Sequence, residues 1–262
     1  MILSSGTSAR GRRYIMVNFL KKIKNLIFRI INLHLVVGPL TYNQDGLTTR
    51  HNCDFIRDPH FAAAYKQGKA TGSWGDTDIY WRAYIACWAA DKAKGIAGDF
   101  VECGVNRGGL SRAIIDYINF KDLNKHFYLL DTYNGLVDKY ITKEEHASGL
   151  WRGGYTECYD SVVKTFSEFK NVIIIRGAVP DTLTQVPSKQ VAYLSIDMNC
   201  VIPELAAIEF FWDRMTSGGV ILLDDYGWGG HQLQKRAFDA FARKKDIKIL
   251  TLPTGQGLIV VP

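Results

Sequence analysis

No acidic residue precedes Asp45, whereas Arg10, Arg12, Arg13, Lys21, Lys22, Lys24 and Arg29 do. That segment accounts for the net charge of +6, because the rest of the chain carries 25 basic against 26 acidic residues. A neutral body argues against a phosphate-tracking groove, and no Asn-Pro-Pro-Tyr-like run is present, so nucleic acid is not an expected partner. The five cysteines, Cys53, Cys87, Cys103, Cys158 and Cys200, form no CxxC pair. Neither a zinc site nor a disulfide framework is expected; reduced, buried thiols in a cytoplasmic protein are. Low-complexity tracts and internal repeats are also missing.

A long uninterrupted apolar run is lacking too. The nearest approach, residues 19–37, is broken by Lys21, Lys22, Lys24 and Arg29, too often for a membrane span of ~20 apolar residues. No A-x-A-like cleavage site follows it. Its apolar positions Phe19, Leu20, Ile23, Leu26, Ile27, Ile30 and Ile31 instead recur at helical spacing. Three readings fit such a basic amphipathic helix: packing on the body or on a second subunit as a homodimer, contact with a membrane surface, or a frayed extension.

What is present is a chain of 262 residues, 47% hydrophobic and 22% charged, long enough to bury a sizeable core. Residues 45–78 are polar, and Ile79 to Lys94 recur apolar at helical spacing before Gly95, a plausible cap. Then the period changes. DFVECGV, HFYLLD, NVIIIRG, VAYLSID and GGVILLDD are continuous apolar runs separated by the helical stretches SRAIIDYINF, YDSVVKTFSEF and PELAAIEFFWDRM. Apolar strands alternating with helices predict a parallel sheet buried on both faces. QKRAFDAFARK follows as a helix, and IKILTL and GLIVVP, separated by PTGQ, predict a terminal antiparallel hairpin. The expected division is a helical extension over 1–95 and an α/β domain over 96–262.

Ligands in such a sheet sit beyond the carboxyl ends of the strands. Here those ends carry Glu102, Asp131, Asp197 and the pair Asp224-Asp225. VECGVNRGG followed by a helix with Ser111 near its start is a nucleotide-binding turn in outline: glycines let a ligand approach backbone, and the helix offers free N–H groups. The spacing is not G-x-G-x-x-G and there is no Walker lysine, so the turn alone is a weak signal that a tight bend also explains. Asp131 lies one βαβ step on, where an acid conventionally takes ribose hydroxyls; alone it could cap the turn before YNG. Asp197, Asp224 and Asp225 gather three carboxylates at two strand tips. Like charges that close require a proton or a cation, and a hard divalent ion such as Mg²⁺ suits an all-oxygen set. A single aspartate there reads as a cap; three together do not. His231 before a helix reads first as a capping residue, with a base role second. KEEHASGLWRGGYTECY, residues 143–159, contains no HExxH pair and reads as an aromatic-bearing lid loop.

VECGVNRGG, LLDTYNGL, GAVPDTL, LSID and SGGVILLDDYG, in that order and spacing from about Gly98 to Asp239, resemble the macrocin O-methyltransferase family of class I S-adenosylmethionine-dependent enzymes, which methylate sugar hydroxyls on macrolides and aminocoumarins. The resemblance implies a Rossmann-like seven-stranded α/β sheet with its last strand antiparallel. It implies that Glu102, Gly104, Asn106, Arg107, Gly108 and Ser111 hold the methionine end of S-adenosylmethionine, that Asp131 and Thr132 take the ribose, that Gly177 and Ala178 lie by the adenine, and that Val105 and Tyr133 also bind the cofactor. It implies Mg²⁺ on Asp197, Asp224 and Asp225, with Asp197, also beside the cofactor, as general base toward a sugar-containing acceptor. A catechol-like diol would satisfy the same metal. A degenerate, non-catalytic binding module would have lost an acidic strand end, and none is lost. One departure stands out: after Asp197 the family continues with a second acid, a leucine and a tyrosine, where this chain has Met198-Asn199-Cys200.

Overall fold

The runs DFVEC, FYLLD, VIIIR, VAYLSI and MTSGGVILL form five parallel strands, β3 (Asp99–Cys103), β4 (Phe127–Asp131), β5 (Val172–Arg176), β6 (Val191–Ile196) and β7 (Met215–Leu223), in a computed structural model that describes residues 38–149 and 154–262 together with Leu20 and Ile23. β9 (Gly257–Val260) joins β7 antiparallel, and β8 (Leu250–Thr251) pairs antiparallel with β9. The sheet order is β5-β4-β3-β6-β7-β9-β8. A small hairpin, β1 (Tyr42–Gln44) and β2 (Leu47–Thr49), forms a separate two-stranded sheet. The stretch 19–37, save Leu20 and Ile23, lies outside the described residues. Among the described residues no helix is long and apolar enough to cross a membrane.

The chain falls into two compact units, one that ends at Asn43 and includes Thr48–Asn52, and a larger one comprising Gln44–Leu47 and Cys53–Pro262. In the larger unit, strand alternation sorts side chains onto two faces. Phe100, Phe127, Leu129, Tyr193 and Leu222 face a cluster built with α1 (Pro59–Ala70), α2 (Tyr80–Ala93) and α3 (Gly109–Tyr117). Val101, Tyr128, Leu130, Leu194 and Ile221 face the opposite cluster, with α6 (Val201–Trp212) and α7 (Gln232–Lys245). Both faces being covered explains why the strands read as unbroken apolar runs. Small side chains let α2 lie close to the sheet: Ala83, Ala86, Cys87, Ala90 and Ala93 are wholly buried. Thus α1 and α2, which precede residue 96, share one apolar cluster with β3 and β4. Two shorter helices, α4 (Lys143–Ser148) and α5 (Tyr159–Phe166), precede β5. All five cysteines are buried.

β3 is flanked by β4 on one side and β6 on the other, so the chain reverses its direction of travel across the sheet there. Connections from β3 and β6 leave on opposite sides, which opens a crevice at their carboxyl ends.

Candidate active site

A cavity of about 450 Å³ occupies that crevice, within the range of small-molecule sites. Its walls include Glu102, Gly104, Val105, Asn106, Asp131, Thr132, Tyr133, Gly177, Ala178, Asp197, Asp224 and Asp225. Of the residues singled out in the sequence, Arg107, Gly108 and Ser111 do not line it.

The Gly-rich turn is shaped by close approach. Gly104 has φ +91°, and a Cβ there would overlap the carbonyl oxygen of Asp197, whose N–H donates to Cys103 O at 2.8 Å. Asn106 also takes positive φ, at 51°, and Gly108, at φ 84°, is the N-cap of α3. Asp131 holds this turn: its Oδ2 accepts from the N–H groups of Val105 at 2.6 Å and Asn106 at 2.7 Å, and its Oδ1 from that of Tyr133 at 2.7 Å. The acid expected to face ribose is thus largely engaged in bracing backbone, with remaining acceptor capacity on Oδ1. Behind the turn, Ser111 donates its hydroxyl to Glu102. Burial pushes the Glu102 carboxyl up to about 8. Arg107 does not line the cavity itself but donates to Thr156, which does, at Oγ1 and 3.0 Å. Thr132 closes the next turn through Gly135 O at 2.6 Å, and the Gly177 N–H donates to Asp131 O at 2.8 Å.

At the other end of the cavity the three aspartates crowd one another. Burial, then the charges of Asp224 and Asp225, raises the Asp197 pKa well above the carboxylate range. Burial and then Asp224 raise that of Asp225. Asp225 Oδ2 is buried and has no hydrogen-bond partner among the described residues. Both oxygens of Asp224 have a donor: Oδ2 accepts from Arg82 Nη1 at 2.6 Å and Oδ1 from Gln256 Nε2 at 3.0 Å. Arg82 is held in turn by Asp45, through Nε at 2.7 Å and Nη2 at 2.9 Å. His231 also lines the cavity; its Nδ1 lies 2.9 Å from Gln234 Nε2 and 3.5 Å from Asp225 Oδ2, and burial lowers its pKa. Past Asp197, Asn199 donates from Nδ2 to Tyr155 OH at 3.1 Å, and both residues line the cavity.

A hard divalent ion is matched by the chemistry of this donor set, three strand-end carboxylates with a buried, unpartnered oxygen on Asp225. Against it, both oxygens of Asp224 already have donors, and among the described residues no group of three His, Cys, Asp or Glu is disposed to hold a metal ion.

The family model described as Macrocin-O-methyltransferase (TylF) matches residues 82–251, more than half of the chain. The chain belongs to the macrocin O-methyltransferase family. One curated relative, the 8-demethyl-8-(2,3-dimethoxy-alpha-L-rhamnosyl)-tetracenomycin-C 4'-O-methyltransferase of Streptomyces olivaceus, is 27% identical over 150 residues, 51% of this chain and 55% of the relative. The chain therefore spans about half the length of that relative. Among solved structures, the O-methyltransferase NovP superposes with a TM-score of 0.65 at 18% identity, over 80% of this chain and 99% of NovP. The calicheamicin methyltransferase CalS11 gives 0.56 at 12% identity, over 86% and 99%. The S-adenosylhomocysteine-bound Podospora anserina methyltransferase PaMTH1 gives 0.53 at 13%, over 87% and 100%. At these identities the likeness concerns the fold, that of the class I methyltransferases.

Several lining residues carry no local sequence signal. Arg82 and Asp224 are 142 positions apart, and Asp45 and Trp74 enter the site from segments with no motif. For Arg82 and Asp45 the one available clue was a pair of opposite charges in otherwise apolar or polar stretches.

Proposed function

We propose that the protein is an S-adenosylmethionine-dependent O-methyltransferase whose acceptor is a sugar hydroxyl of a glycosylated natural product or polysaccharide. The observation that carries this reading is that one continuous cavity joins the Gly-rich turn at β3 to the aspartates at the ends of β6 and β7. Family membership supports it, as do the sugar named for the Streptomyces olivaceus relative and the S-adenosylhomocysteine named for PaMTH1.

S-adenosylmethionine supplies a methyl already activated on a sulfonium, so the protein's task is alignment. Glu102, Gly104, Val105 and Asn106 would hold the methionine end. Arg107, Gly108 and Ser111 would act from behind, through the turn's conformation and the bond from Ser111 to Glu102. Asp131, Thr132 and Tyr133 would face the ribose, and Gly177 and Ala178 the adenine. Asp197 would accept the hydroxyl proton as the carbon–sulfur bond breaks and the carbon–oxygen bond forms, leaving a neutral thioether. Asn199 and Tyr155 would wall the acceptor where the family's second acid is missing. Mg²⁺ on Asp197, Asp224 and Asp225 would supply Lewis acidity that lowers the pKa of a bound hydroxyl.

Calorimetric titration with S-adenosylhomocysteine, in Mg²⁺ and then in EDTA, tests the donor half. Binding near 1 μM, about −8 kcal/mol, is expected. No binding in either buffer refutes the methyltransferase reading, and methyl transfer to rhamnosyl glycosides then tests the acceptor.

A further inference from the structure

Arg82 occupies a position that the proposed metal would have to contest. Its Nη1 donates to Asp224 Oδ2 at 2.6 Å, and the side chains are 18% and 4% exposed. Because Gln256 takes Oδ1, neither oxygen of Asp224 is left without a donor. A guanidinium does not lose its proton in a protein, so this positive charge is permanent. Asp224 therefore already has a cation.

The way Arg82 is held gives it a second resting place. Two of its three hydrogen bonds go to Asp45, a bidentate fork at 2.7 and 2.9 Å, and its guanidinium lies 5.0 Å from the Trp228 ring centroid. Asp45 is fixed at the turn between β1 and β2, with φ 51°, and its side chain is 8% exposed. Arg82 can thus surrender its single bond to Asp224 and still keep a paired, ring-stacked charge.

We propose that Arg82 is a resident counter-ion which competes with a divalent cation for Asp224, and that Asp45 sets the terms of that competition by holding Arg82 when Asp224 is released. The inference rests on the metal reading above. It makes Arg82 and Asp45 positioning residues for the site rather than ligands. Two opposite signs follow. Removing the guanidinium charge should tighten divalent binding, by about tenfold or more for a charge this close in a partly buried site. Removing the carboxylate of Asp45 leaves Arg82 uncompensated and takes one negative charge from the neighbourhood, so divalent binding should weaken.

The experiment titrates Mn²⁺ alone into the full-length protein and its Arg82→Gln and Asp45→Asn variants, reading free Mn²⁺ by electron paramagnetic resonance, with thermal melts confirming that each is folded. Tighter binding by Arg82→Gln together with weaker binding by Asp45→Asn is the expected result; general damage to the fold would weaken both. If the wild type binds Mn²⁺ and Arg82→Gln binds no more tightly, the competition is overturned while the metal reading survives. Should Arg82→Gln not fold, Asp45→Asn decides alone, and unchanged or tighter binding overturns the proposal. If none of the three binds Mn²⁺, the metal reading falls and the competition with it.

Discussion

Replacing Gly104 by alanine tests whether the two halves of the site are held in register by backbone contact. Gly104 sits at φ +91°, where an L side chain costs about 1–3 kcal/mol. Its new Cβ would overlap Asp197 O and press within 3.1 Å of Met198 Cγ, so the ends of β3 and β6 must part. Displacing Gly104 and its neighbours strains two bonds of 2.8 Å, from Asp197 N to Cys103 O on the β6 side and from Gly104 N to Leu130 O on the β4 side, each worth about 1 kcal/mol net. The expected loss is about 3–5 kcal/mol, a large fraction of the ~5–15 kcal/mol that stabilises a domain. Gly75→Ala is the control: φ is +52° and a Cβ there meets nothing within 4 Å, so only the backbone cost of about 1–2 kcal/mol applies. Urea unfolding followed by circular dichroism measures both, and S-adenosylhomocysteine affinity should fall for Gly104→Ala alone. If the two variants lose equal stability, the close approach is not what requires glycine at 104.

Glu102 makes the ligand-free protein sensitive to pH. Its folded pKa is raised from 4.5 to about 8, so this contribution to stability is complete below 4.5 and is lost as pH rises toward 8. Thermal melts across that window should show a shallower decline for Glu102→Gln than for wild type, and parallel curves would refute the assignment. Asp131→Ala leaves the N–H groups of Val105, Asn106 and Tyr133 without their acceptor, at about 1–3 kcal/mol for each that stays buried. S-adenosylhomocysteine affinity should fall at least about tenfold with Mn²⁺ affinity intact, since a loosened turn costs binding free energy. Unchanged cofactor affinity would remove Asp131 from the cofactor half.

The sheet and its acidic edge were legible because their signals are local. A strand covered on both faces must be apolar throughout, and the carboxylate that ends it is the next residue along, as in VAYLSI then Asp197. The terminal antiparallel hairpin was legible from PTGQ, although β8 is only Leu250–Thr251. By contrast, nothing periodic announces that Arg82, on α2, meets Asp224 after β7 and Asp45 in a hairpin turn. Nor could the sequence show that Asp131 spends its oxygens on backbone donors, since every residue but proline carries the same N–H. Residues 143–159, expected as a lid loop, instead begin with α4, whose capping box pairs Thr142 with Glu145; Glu145 also accepts from the N–H of Val201 at 2.7 Å, fastening α4 to the start of α6.

The reach of Asp45 into this site has a consequence for how such a protein diversifies. The family match begins at residue 82 and ends at 251, so both Asp45 and Gln256, the outer supports of Arg82 and Asp224, lie beyond it. The aspartates can stay invariant while drift in a flanking hairpin or in the turn before β9 retunes their field. A chimaera that grafted the matched segment into a relative's flanks would inherit the acids of one parent and the electrostatics of the other.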